Sequence, residues 1–379
     1  MKNKSFLINN KVTKEKMEYI INNCIECNLC VKNCEMLKYF KGNPKRIFTS
    51  ILEEGKVNPI LPYSCTLCKK CTEVCPKNLK TEEVFMDMRC DIARENNGQS
   101  PLKGHNAIHI HQKWGFSKLF TKYVKNQDIT KVKRIFFPGC NVAAYSPELV
   151  IKTYEHLKNN LDGTAILLEC CGKPTESLGE KEKFNKLFSK VENDIKCTGA
   201  IEVITACQNC YTTMKKYSSN LKVRSLWEVL REIGLPKEAI GIGNDSDVVF
   251  SIHDSCPTRY EKEIHESVRW IVDELGYKIE EKDEIMDKTN CCGTGGMIHV
   301  VNSEISNKFI RKATSAIKGD YIITYCAGCR ESMIKGGVKS LHILELIFGE
   351  KIMDKNKATN INSSLKSWGN RFKLKGLIK

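Results

Sequence analysis

The sequence predicts a multidomain α+β fold, in which an all-helical N-terminal module precedes two tandem α/β domains with parallel sheets related by pseudo-twofold symmetry. Three observations predict this fold class. The first hundred residues form short amphipathic patterns around two tight groups of cysteines. From Lys133 onward, short apolar runs alternate with amphipathic segments, which is typical of strand–helix units over a parallel sheet. This second pattern then occurs twice along the chain.

Changes in these patterns set the expected domain boundaries. A chain of 379 residues is long enough for two to four domains of ordinary size. We expect a helical module at 1–100, a linker at 101–131, a first α/β domain at 132–235, a second at 236–350, and a basic tail at 351–379.

Five apolar runs are strand candidates, and each of them leads directly into a cysteine. They are KRIFFPG before Cys140, TAILLE before Cys170, IEVITA before Cys207, DVVFSIHDS before Cys256 and YIITY before Cys326. The carboxyl ends of parallel strands share one edge of a sheet, so we expect these cysteines to gather there. The segment before Cys291, IEEKDEIMDKTN, is a poor strand.

The repeat includes more than the cysteines. The segments EVITACQNCYTTMKKYSSNLKVRSLWEVL and YIITYCAGCRESMIKGGVKSLHILELI share a strand, a C-x2-C turn, a helix, a short strand and a closing helix. We therefore expect two copies of one domain facing each other about a pseudo-twofold axis.

The start of the chain has no unbroken apolar block of a secretory signal, and no stretch reaches the length of a membrane span. These features predict a cytoplasmic protein, with membrane association open through the tail, whose lysines alternate with Leu365, Trp368 and Phe372. A solvated, partly disordered end is the alternative for the tail.

Twenty cysteines in a reducing compartment indicate metal ligands or redox groups rather than disulfides. Eighteen of them fall into four groups, and only Cys90 and Cys197 are left over. The formal net charge of +15 counts every cysteine as neutral, and the tail is rich in lysine, so the charge does not predict nucleic-acid binding.

The two N-terminal groups share the spacing C-x2-C-x2-C-x3-C. They are Cys24, Cys27, Cys30 and Cys34, and then Cys65, Cys68, Cys71 and Cys75. This is the spacing of dicluster ferredoxins, in which three cysteines hold one [4Fe-4S] cubane cluster and the distant fourth ligates the neighbouring one. It implies Cys24, Cys27, Cys30 and Cys75 for one cluster, and Cys65, Cys68, Cys71 and Cys34 for the other. Structural zinc is the alternative, but zinc sites usually present separated C-x2-C pairs.

The other two groups each have the form Cys, Cys-Cys-Gly and Cys-x2-Cys. They are Cys140, Cys170, Cys171, Cys207 and Cys210, and then Cys256, Cys291, Cys292, Cys326 and Cys329. With FFPGC, CCGKPTESLG and TACQNC in the first copy and HDSCPTRY, CCGTGGM and TYCAGC in the second, the chain resembles the CCG-domain, or cysteine-rich-domain, iron–sulfur oxidoreductases. Within that family the layout is similar to the D-type catalytic subunit of heterodisulfide reductase and to the iron–sulfur subunits of glycolate oxidase and anaerobic glycerol-3-phosphate dehydrogenase.

The resemblance implies one or two noncubane [4Fe-4S] clusters, each held by five cysteines of a CCG domain. Glycines beside the paired cysteines would let backbone N–H groups approach the sulfurs. The first copy lacks the glycine run of CCGTGG and has a shorter first gap, so zinc or another cluster type stays open there.

The function implied is that of an iron–sulfur oxidoreductase, which takes electrons through the two cubanes to CCG-bound clusters that reduce a disulfide or another small acceptor. His253 and Asp254, just before Cys256, are candidates for a proton relay. The chain would work with a redox partner protein, a flavoprotein or a ferredoxin.

Two other functions stay open. The chain could be an electron-transfer subunit of a flavin-dependent dehydrogenase for glycolate, lactate or glycerol 3-phosphate, which passes electrons to quinone or another carrier. A GxGxxG turn between strand and helix is missing, so a flavin would sit on the partner. A metal-storage or structural zinc protein explains the cysteine spacing poorly.

Overall fold

The computed structural model describes residues 4–125, 130–315, 317–349 and 357–378. Parts of the predicted linker (126–129) and of the predicted tail (351–356 and 379) lie outside the described residues. No helix within the described part of the chain is both long enough and apolar enough to span a membrane.

The described residues form the following helices and strands. The α-helices are α1 (Lys11–Asn23), α2 (Leu29–Asn33), α3 (Glu35–Tyr39), α4 (Pro44–Glu54), α5 (Ile60–Tyr63), α6 (Lys70–Glu73), α7 (Thr81–Glu95), α8 (Asn106–Gly115), α9 (Cys140–Tyr145), α10 (Pro147–Asn160), α11 (Lys173–Ser177), α12 (Lys181–Cys197), α13 (Gln208–Tyr217), α14 (Leu226–Ile233), α15 (Lys262–Glu274), α16 (Ser303–Thr314), α17 (Ala327–Lys335), α18 (Ile343–Phe348) and α19 (Ser364–Leu377). The strands are β1 (Phe6–Leu7), β2 (Lys56–Val57), β3 (Lys122–Val124), β4 (Arg134–Phe137), β5 (Thr164–Leu168), β6 (Glu202–Thr205), β7 (Lys222–Ser225), β8 (Val249–His253), β9 (Lys278–Ile279), β10 (Tyr321–Thr324) and β11 (Ser340–His342).

The chain divides into two compact units. The first extends to Gln112 and includes two later segments, Pro174–Lys186 and Asp287–Ala313, which follow or contain the two Cys-Cys-Gly motifs. The second consists of Lys113–Lys173, Leu187–Met286 and the residues from Thr314 onward.

The first unit is built mainly from short helices, as predicted for its N-terminal part. Helix α4 shows why they begin and end where they do. The Asn43 side chain accepts a hydrogen bond from the Arg46 N–H, Pro44 occupies the first turn, and Gly55 ends the helix in the left-handed conformation. Apolar side chains such as Phe48 and Phe85 pack edge to face in the core of this unit.

The second unit contains both larger sheets. One has the strand order β3-β5-β4-β6-β7, with β3 antiparallel and the others parallel, and the other is a parallel sheet in the order β11-β10-β8-β9. The prediction of parallel strands is confirmed, since all five apolar runs form parallel strands. Their continuously apolar sequence is typical of strands covered on both faces. The strand order β5-β4-β6-β7 matches β9-β8-β10-β11. Strand β3, from the predicted linker, was not predicted.

The tail beyond Lys357 contains helix α19, although Gly369 and Gly376 lower its intrinsic helix propensity. The Ser363 side chain caps it by accepting a hydrogen bond from the Lys366 N–H at 3.2 Å. Leu374 is fully buried, so tertiary packing outweighs the two glycines. The alternative of a solvated, partly disordered end is therefore wrong about disorder in this helix, although several of its side chains, such as Leu365, are exposed.

A buried arginine connects separate segments of the first unit. Arg89 of α7 is inaccessible to solvent, and its guanidinium donates hydrogen bonds to main-chain carbonyl oxygens. The acceptors are Pro62 at 2.9 and 3.0 Å, Ser177 at 2.6 Å, Gly296 at 3.0 Å, and Cys65. One side chain thus holds the second cysteine loop together with the segment after each Cys-Cys-Gly motif.

We predict that Arg89→Met lowers the unfolding temperature of the anaerobically purified protein by roughly 6 to 12 °C. The change leaves buried carbonyls without a charged donor, at a cost of about 3 kcal/mol, and each kcal/mol corresponds to about 2–4 °C in a unit of this size. The matched control is Arg94→Met on the same helix, where the side chain is 61% exposed and pairs with Asp91 at 3.4 Å. Equal decreases in unfolding temperature for the two variants would show that the hydrogen bonds of Arg89 do not stabilise the unit.

Candidate metal centres

Both N-terminal cysteine loops adopt the same backbone conformation. In the first loop Glu26 and Asn28 have φ of 54° and 58°, and in the second Leu67 and Lys69 have φ of 57° and 63°. These residues flank the second cysteine of each motif, Cys27 or Cys68. The left-handed region costs about 1 kcal/mol for each non-glycine residue, so the surrounding structure must stabilise it. The repeated strain gives both loops the curvature needed to surround a compact group.

The first N-terminal site brings three cysteines of the first motif together with the last cysteine of the second. A pocket is lined by Cys24, Cys27, Cys30, Cys71, Cys75 and neighbouring residues such as Pro76. Burial and, to a smaller extent, the charges of Cys24, Cys75 and Cys27 together raise the pKa of Cys30 to about 11. These sulfurs are therefore close enough to repel one another when ionised.

The second N-terminal site has the reciprocal composition. Its pocket is lined by Cys34, Cys65, Cys68 and Cys71, and also by Asn290 and Cys291 of the later Cys-Cys-Gly segment. Burial raises the pKa of Cys34, and the charges of Cys68 and Cys65 add to the effect. The exchange of the fourth cysteine between the motifs is the arrangement that the dicluster spacing implies.

The first five-cysteine group lies wholly within the second unit, at the carboxyl ends of β4, β5 and β6. Cys140 begins α9, Cys170 and Cys171 follow β5, and Cys207 caps α13, whose first turn contains Cys210. Neighbouring thiols shift one another's pKa through side-chain hydrogen bonding: Cys170 acts on Cys140 and Cys171, and Cys210 acts on Cys171 and Cys207. The structure thus brings all five predicted residues together.

Hydrogen bonding among these thiols shifts their pKa values in different directions. The hydrogen bond with Cys170 raises the pKa of Cys140 well above its usual value, and burial adds to this; the positive charge of Arg371 acts in the opposite direction. The hydrogen bond from Cys210 instead lowers the pKa of Cys207. The pKa values of Cys171 and Cys210, like that of Cys140, are raised, so Cys207 differs from these three in the direction of its shift.

The glycines of the group are required by geometry. Gly172 and Gly293, which end the two Cys-Cys-Gly motifs, have φ of 80° and 86°. Gly139 has φ of 80°, and a Cβ there would lie 2.8 Å from the Cys207 Cβ and 3.1 Å from the Cys210 Sγ. Only glycine permits the Cys140 loop to approach the C-x2-C turn this closely.

The second five-cysteine group is distributed over both units. In the first unit, the Gly293 N–H donates to the Cys291 Sγ at 3.4 Å, which agrees with the predicted approach of a backbone donor to sulfur. Gly295 and Gly296 have a different role from the one expected. A Cβ on either would lie 2.4 Å from the carbonyl oxygen of Thr66 or Cys65, so these glycines make room for the second cysteine loop.

The remaining three cysteines of that group lie in the second unit, after β8 and β10. Cys256 begins a short 3₁₀ helix, Cys326 caps α17, and Cys329 lies in the first turn of α17. The buried Lys282 lies 3.0 Å from Nδ1 of His253, and the charge of Cys329 acts on its ammonium group. Burial lowers the pKa of Lys282.

Asp254, one of the two residues suggested for a proton relay, is surrounded by hydrogen-bond donors in the structure. It accepts two hydrogen bonds from Arg269 at 3.0 and 3.1 Å, and others from the Met286 N–H and the Tyr325 hydroxyl. Burial opposes its ionisation, but the hydrogen bond and charge of Arg269, together with the charge of His265 and the Met286 N–H, lower the pKa of Asp254. An ionised Asp254 is thus paired with Arg269.

The donor sets fit iron–sulfur clusters. Each of the four groups offers only cysteine sulfur as a donor. Crowded, mutually repelling thiolates need a strongly positive group that displaces their protons, and soft sulfur donors select iron–sulfur clusters or zinc. The two cysteines outside the groups behave differently. Cys90 is buried within α7, as expected of a core residue, and Cys197 is exposed at the end of α12.

Comparison with known proteins agrees with this chemistry. The model of the 4Fe-4S dicluster domain matches residues 20–79, and that of the cysteine-rich domain, CCG, matches 135–215 and 250–334. One subunit of the CoM/CoB fumarate reductase of Methanothermobacter marburgensis is 26% identical over 367 residues, which cover 86% of this chain and 71% of the relative. One subunit of the dihydromethanophenazine:CoB–CoM heterodisulfide reductase of Methanosarcina acetivorans is 24% identical, over 77% of this chain and 76% of the relative. Lactate utilization protein A of Macrococcus caseolyticus is 26% identical over 57% of this chain and 96% of its own length.

The fold and the sites define an iron–sulfur protein with a dicluster domain followed by two cysteine-rich regions. In this arrangement the chain resembles the CCG-domain iron–sulfur oxidoreductases. The family resemblance drawn from the sequence is thereby confirmed.

Sequence reasoning missed three cationic residues near these sites, Arg89, Arg371 and Lys282. Each lies in a segment whose local pattern is that of an ordinary helix or loop. The nearby cysteines, Cys65 for Arg89, Cys170 for Arg371 and Cys329 for Lys282, belong to other segments of the chain. Burial of a charged side chain is the informative feature, and it is visible only in the folded chain.

We predict that Gly139→Ala removes roughly four irons per chain by disrupting the first five-cysteine site. The added methyl overlaps Cys207 and Cys210, whereas the matched control Gly234→Ala adds only backbone strain. Gly139 and Gly234 have nearly equal backbone angles, φ/ψ of 80°/158° and 84°/163°, and a Cβ on Gly234 has no neighbour within 4 Å. Iron analysis and unfolding temperature are measured for both; equal iron contents would contradict the prediction.

Proposed function

We propose that this chain carries electrons from a redox partner through its dicluster domain to the CCG sites, where a disulfide or a similar small acceptor is reduced. One observation supports this most directly: Cys291 lines the same pocket as Cys34, Cys65, Cys68 and Cys71. A paired cysteine of the second CCG motif therefore belongs to the wall of the second N-terminal site, which is the contact that electron transfer requires.

We assign four cysteines to each N-terminal cluster. Cys24, Cys27, Cys30 and Cys75 would hold one [4Fe-4S] cubane, and Cys65, Cys68, Cys71 and Cys34 the other. The assignment is supported by the charges that raise the pKa of Cys30, which come from the other three cysteines of its set, and by the raised pKa values of Cys34, Cys65 and Cys71 in the second set. When bound, such clusters supply one-electron redox chemistry, and the protein supplies and positions the sulfur ligands.

We assign the two five-cysteine groups to noncubane [4Fe-4S] clusters, with zinc as the alternative in the first. The ligands would be Cys140, Cys170, Cys171, Cys207 and Cys210, and then Cys256, Cys291, Cys292, Cys326 and Cys329. The thiol hydrogen bonds that join all five residues of the first group support a shared centre there.

We also propose that the CCG domains, 132–235 and 236–350, are duplicates related by a pseudo-twofold axis. The common strand order of the two sheets supports this. The protein would act in the cytoplasm, with peripheral membrane contact through α19. Leu365 and Phe372 of that helix are 87% and 59% exposed, and each is followed by a lysine. Exposed apolar and cationic side chains together suit an anionic membrane surface.

The alternative function is electron transfer alone, as the iron–sulfur subunit of a flavin-dependent dehydrogenase for glycolate, lactate or glycerol 3-phosphate. The similarity to lactate utilization protein A supports this alternative. A flavoprotein would then be the partner, and electrons would pass to quinone or another carrier.

We predict that Cys75→Ser alters the same electron paramagnetic resonance signal as Cys24→Ser, and that Cys34→Ser alters the signal sensitive to Cys65→Ser. The reason is the exchange of the fourth ligand between the two motifs. Cys197→Ser is the control, because this exposed cysteine lies outside all four groups. Grouping of Cys75→Ser with Cys65→Ser would contradict the assignment.

We predict that the anaerobically purified chain, reduced by a low-potential viologen dye, converts the CoB–CoM heterodisulfide into two thiols. Each disulfide consumes two electrons and two protons, so two reduced viologens should be oxidised per disulfide. Dye absorbance and thiol release are measured together. Rapid oxidation of the reduced chain by a flavoprotein partner, without thiol release from any disulfide tested, would favour the alternative.

A further inference from the structure

The first five-cysteine site is bordered by the C-terminal helix α19. Asn362 and Asn370 donate side-chain hydrogen bonds to the carbonyl oxygens of Ala144 and Tyr145, at 2.8 to 3.3 Å. Those carbonyls end α9, the helix that begins at Cys140. The other end of α19 is held by Lys122, whose ammonium donates hydrogen bonds to the carbonyl oxygens of Lys375 and Ile378. Helix α19 is thus held against the helix that carries the first cysteine.

Arg371 is the buried charge of this helix. Only 5% of the residue is exposed. Its guanidinium carbon lies 4.4 Å from the ring centroid of Trp368 and 5.5 Å from that of Phe120. These rings provide a cation–π environment that fixes the plane of the guanidinium but accepts no strong hydrogen bond in that plane.

The guanidinium lies beside the cysteines of the first site. The point where a Cβ on Gly115 would stand is 3.4 Å from the Cys170 Cβ, 3.6 Å from the Arg371 Nη2 and 3.8 Å from its Nη1. The lack of a side chain on Gly115 therefore leaves the arginine and the cysteine facing the same small gap. The charge of Arg371 also favours ionisation of Cys140, as described above.

One of the guanidinium nitrogens lacks an acceptor. Within the described part of the chain, Nη1 of Arg371 is buried and has no hydrogen-bond partner. A buried N–H of a charged group is costly when it stays unpaired, and guanidinium nitrogens are satisfied in almost all native interiors. An acceptor of negative charge, seated among the five cysteines, would satisfy it.

We propose that Arg371 is a positioning residue of the first CCG site, and that Nη1 donates a hydrogen bond to a sulfur of the iron–sulfur cluster held by the five cysteines. The inference rests on the proposed function, since it requires a cluster in that site. A fixed positive charge and a hydrogen bond to sulfur stabilise the reduced cluster, which carries one more negative charge than the oxidised form. The C-terminal helix is then part of the redox site, and Arg371 raises the reduction potential of its cluster.

The test compares the full chain with the variants Arg371→Met, Arg371→Lys and Lys373→Met, all purified without oxygen. The first removes the charge, the second keeps the charge but removes the planar fork, and the third removes an exposed charge from the same helix. Iron content, unfolding temperature and redox titration by electron paramagnetic resonance are measured. The signal of the first site is identified as the one abolished by Cys171→Ser.

For Arg371→Met we expect the ratio of reduced to oxidised cluster at a fixed potential to fall about tenfold, which is a negative shift of about 59 mV for one electron. Arg371→Lys should shift less, and Lys373→Met should not shift. If Arg371→Met instead loses iron from this site alone, a smaller loss in Arg371→Lys supports the proposal, and equal losses contradict it.

The outcomes separate the two proposals. A wild-type signal that Cys171→Ser abolishes but that keeps its potential in Arg371→Met overturns the role of Arg371 and leaves the proposed function intact. A wild-type protein with no cluster signal from this site overturns the role of Arg371 and the cluster assignment of the first group, and leaves zinc as the occupant there. Loss of every cluster signal from the wild-type protein would overturn the proposed function itself.

Discussion

The crowding of sulfur atoms is the constraint on which the rest of the structure depends. In each N-terminal site and in the first five-cysteine site, thiols lie within reach of other thiols, so that the negative charge of an ionised sulfur opposes ionisation of its neighbours. Such an arrangement is unfavourable for the protein alone. It becomes favourable when iron replaces the protons, which explains why metal binding and folding should be coupled in this chain.

The backbone meets this constraint in two ways. The N-terminal loops use non-glycine residues in the left-handed region, which packing must stabilise. The CCG sites use glycine instead, at Gly139, Gly172 and Gly293, because there a neighbouring chain segment approaches where a Cβ would stand or the backbone turns sharply. Strain and glycine are thus alternative solutions for bringing several sulfurs around one point.

Buried cations balance the sulfur-rich sites. In the first unit, Arg89 connects the carbonyls of the second cysteine loop with those that follow both Cys-Cys-Gly motifs. In the second unit, Arg371 and Lys282 each lie near cysteines of a different CCG motif. Charge balance of this kind affects reduction potential as well as stability, because every electron added to a cluster adds a negative charge.

The sequence by itself determined the elements with strong local signals. Regular spacing identified the cysteine groups. Apolar runs identified the strands that precede Cys140, Cys170, Cys207, Cys256 and Cys326. The family followed from these motifs. Local pattern sufficed because a loop around a metal cluster, or a strand within a parallel sheet, is encoded over a few consecutive residues.

The tertiary structure alone decided which distant segments meet. No local pattern indicated that Gly295 and Gly296 accommodate the Cys65 loop, that Cys291 lines the second N-terminal pocket, or that Arg371 reaches the first five-cysteine site. Arg371 lies 201 positions beyond Cys170 in the chain. Contacts across such separations depend on packing of whole helices and sheets, and a side chain's charge acquires its role only when that packing excludes water from it.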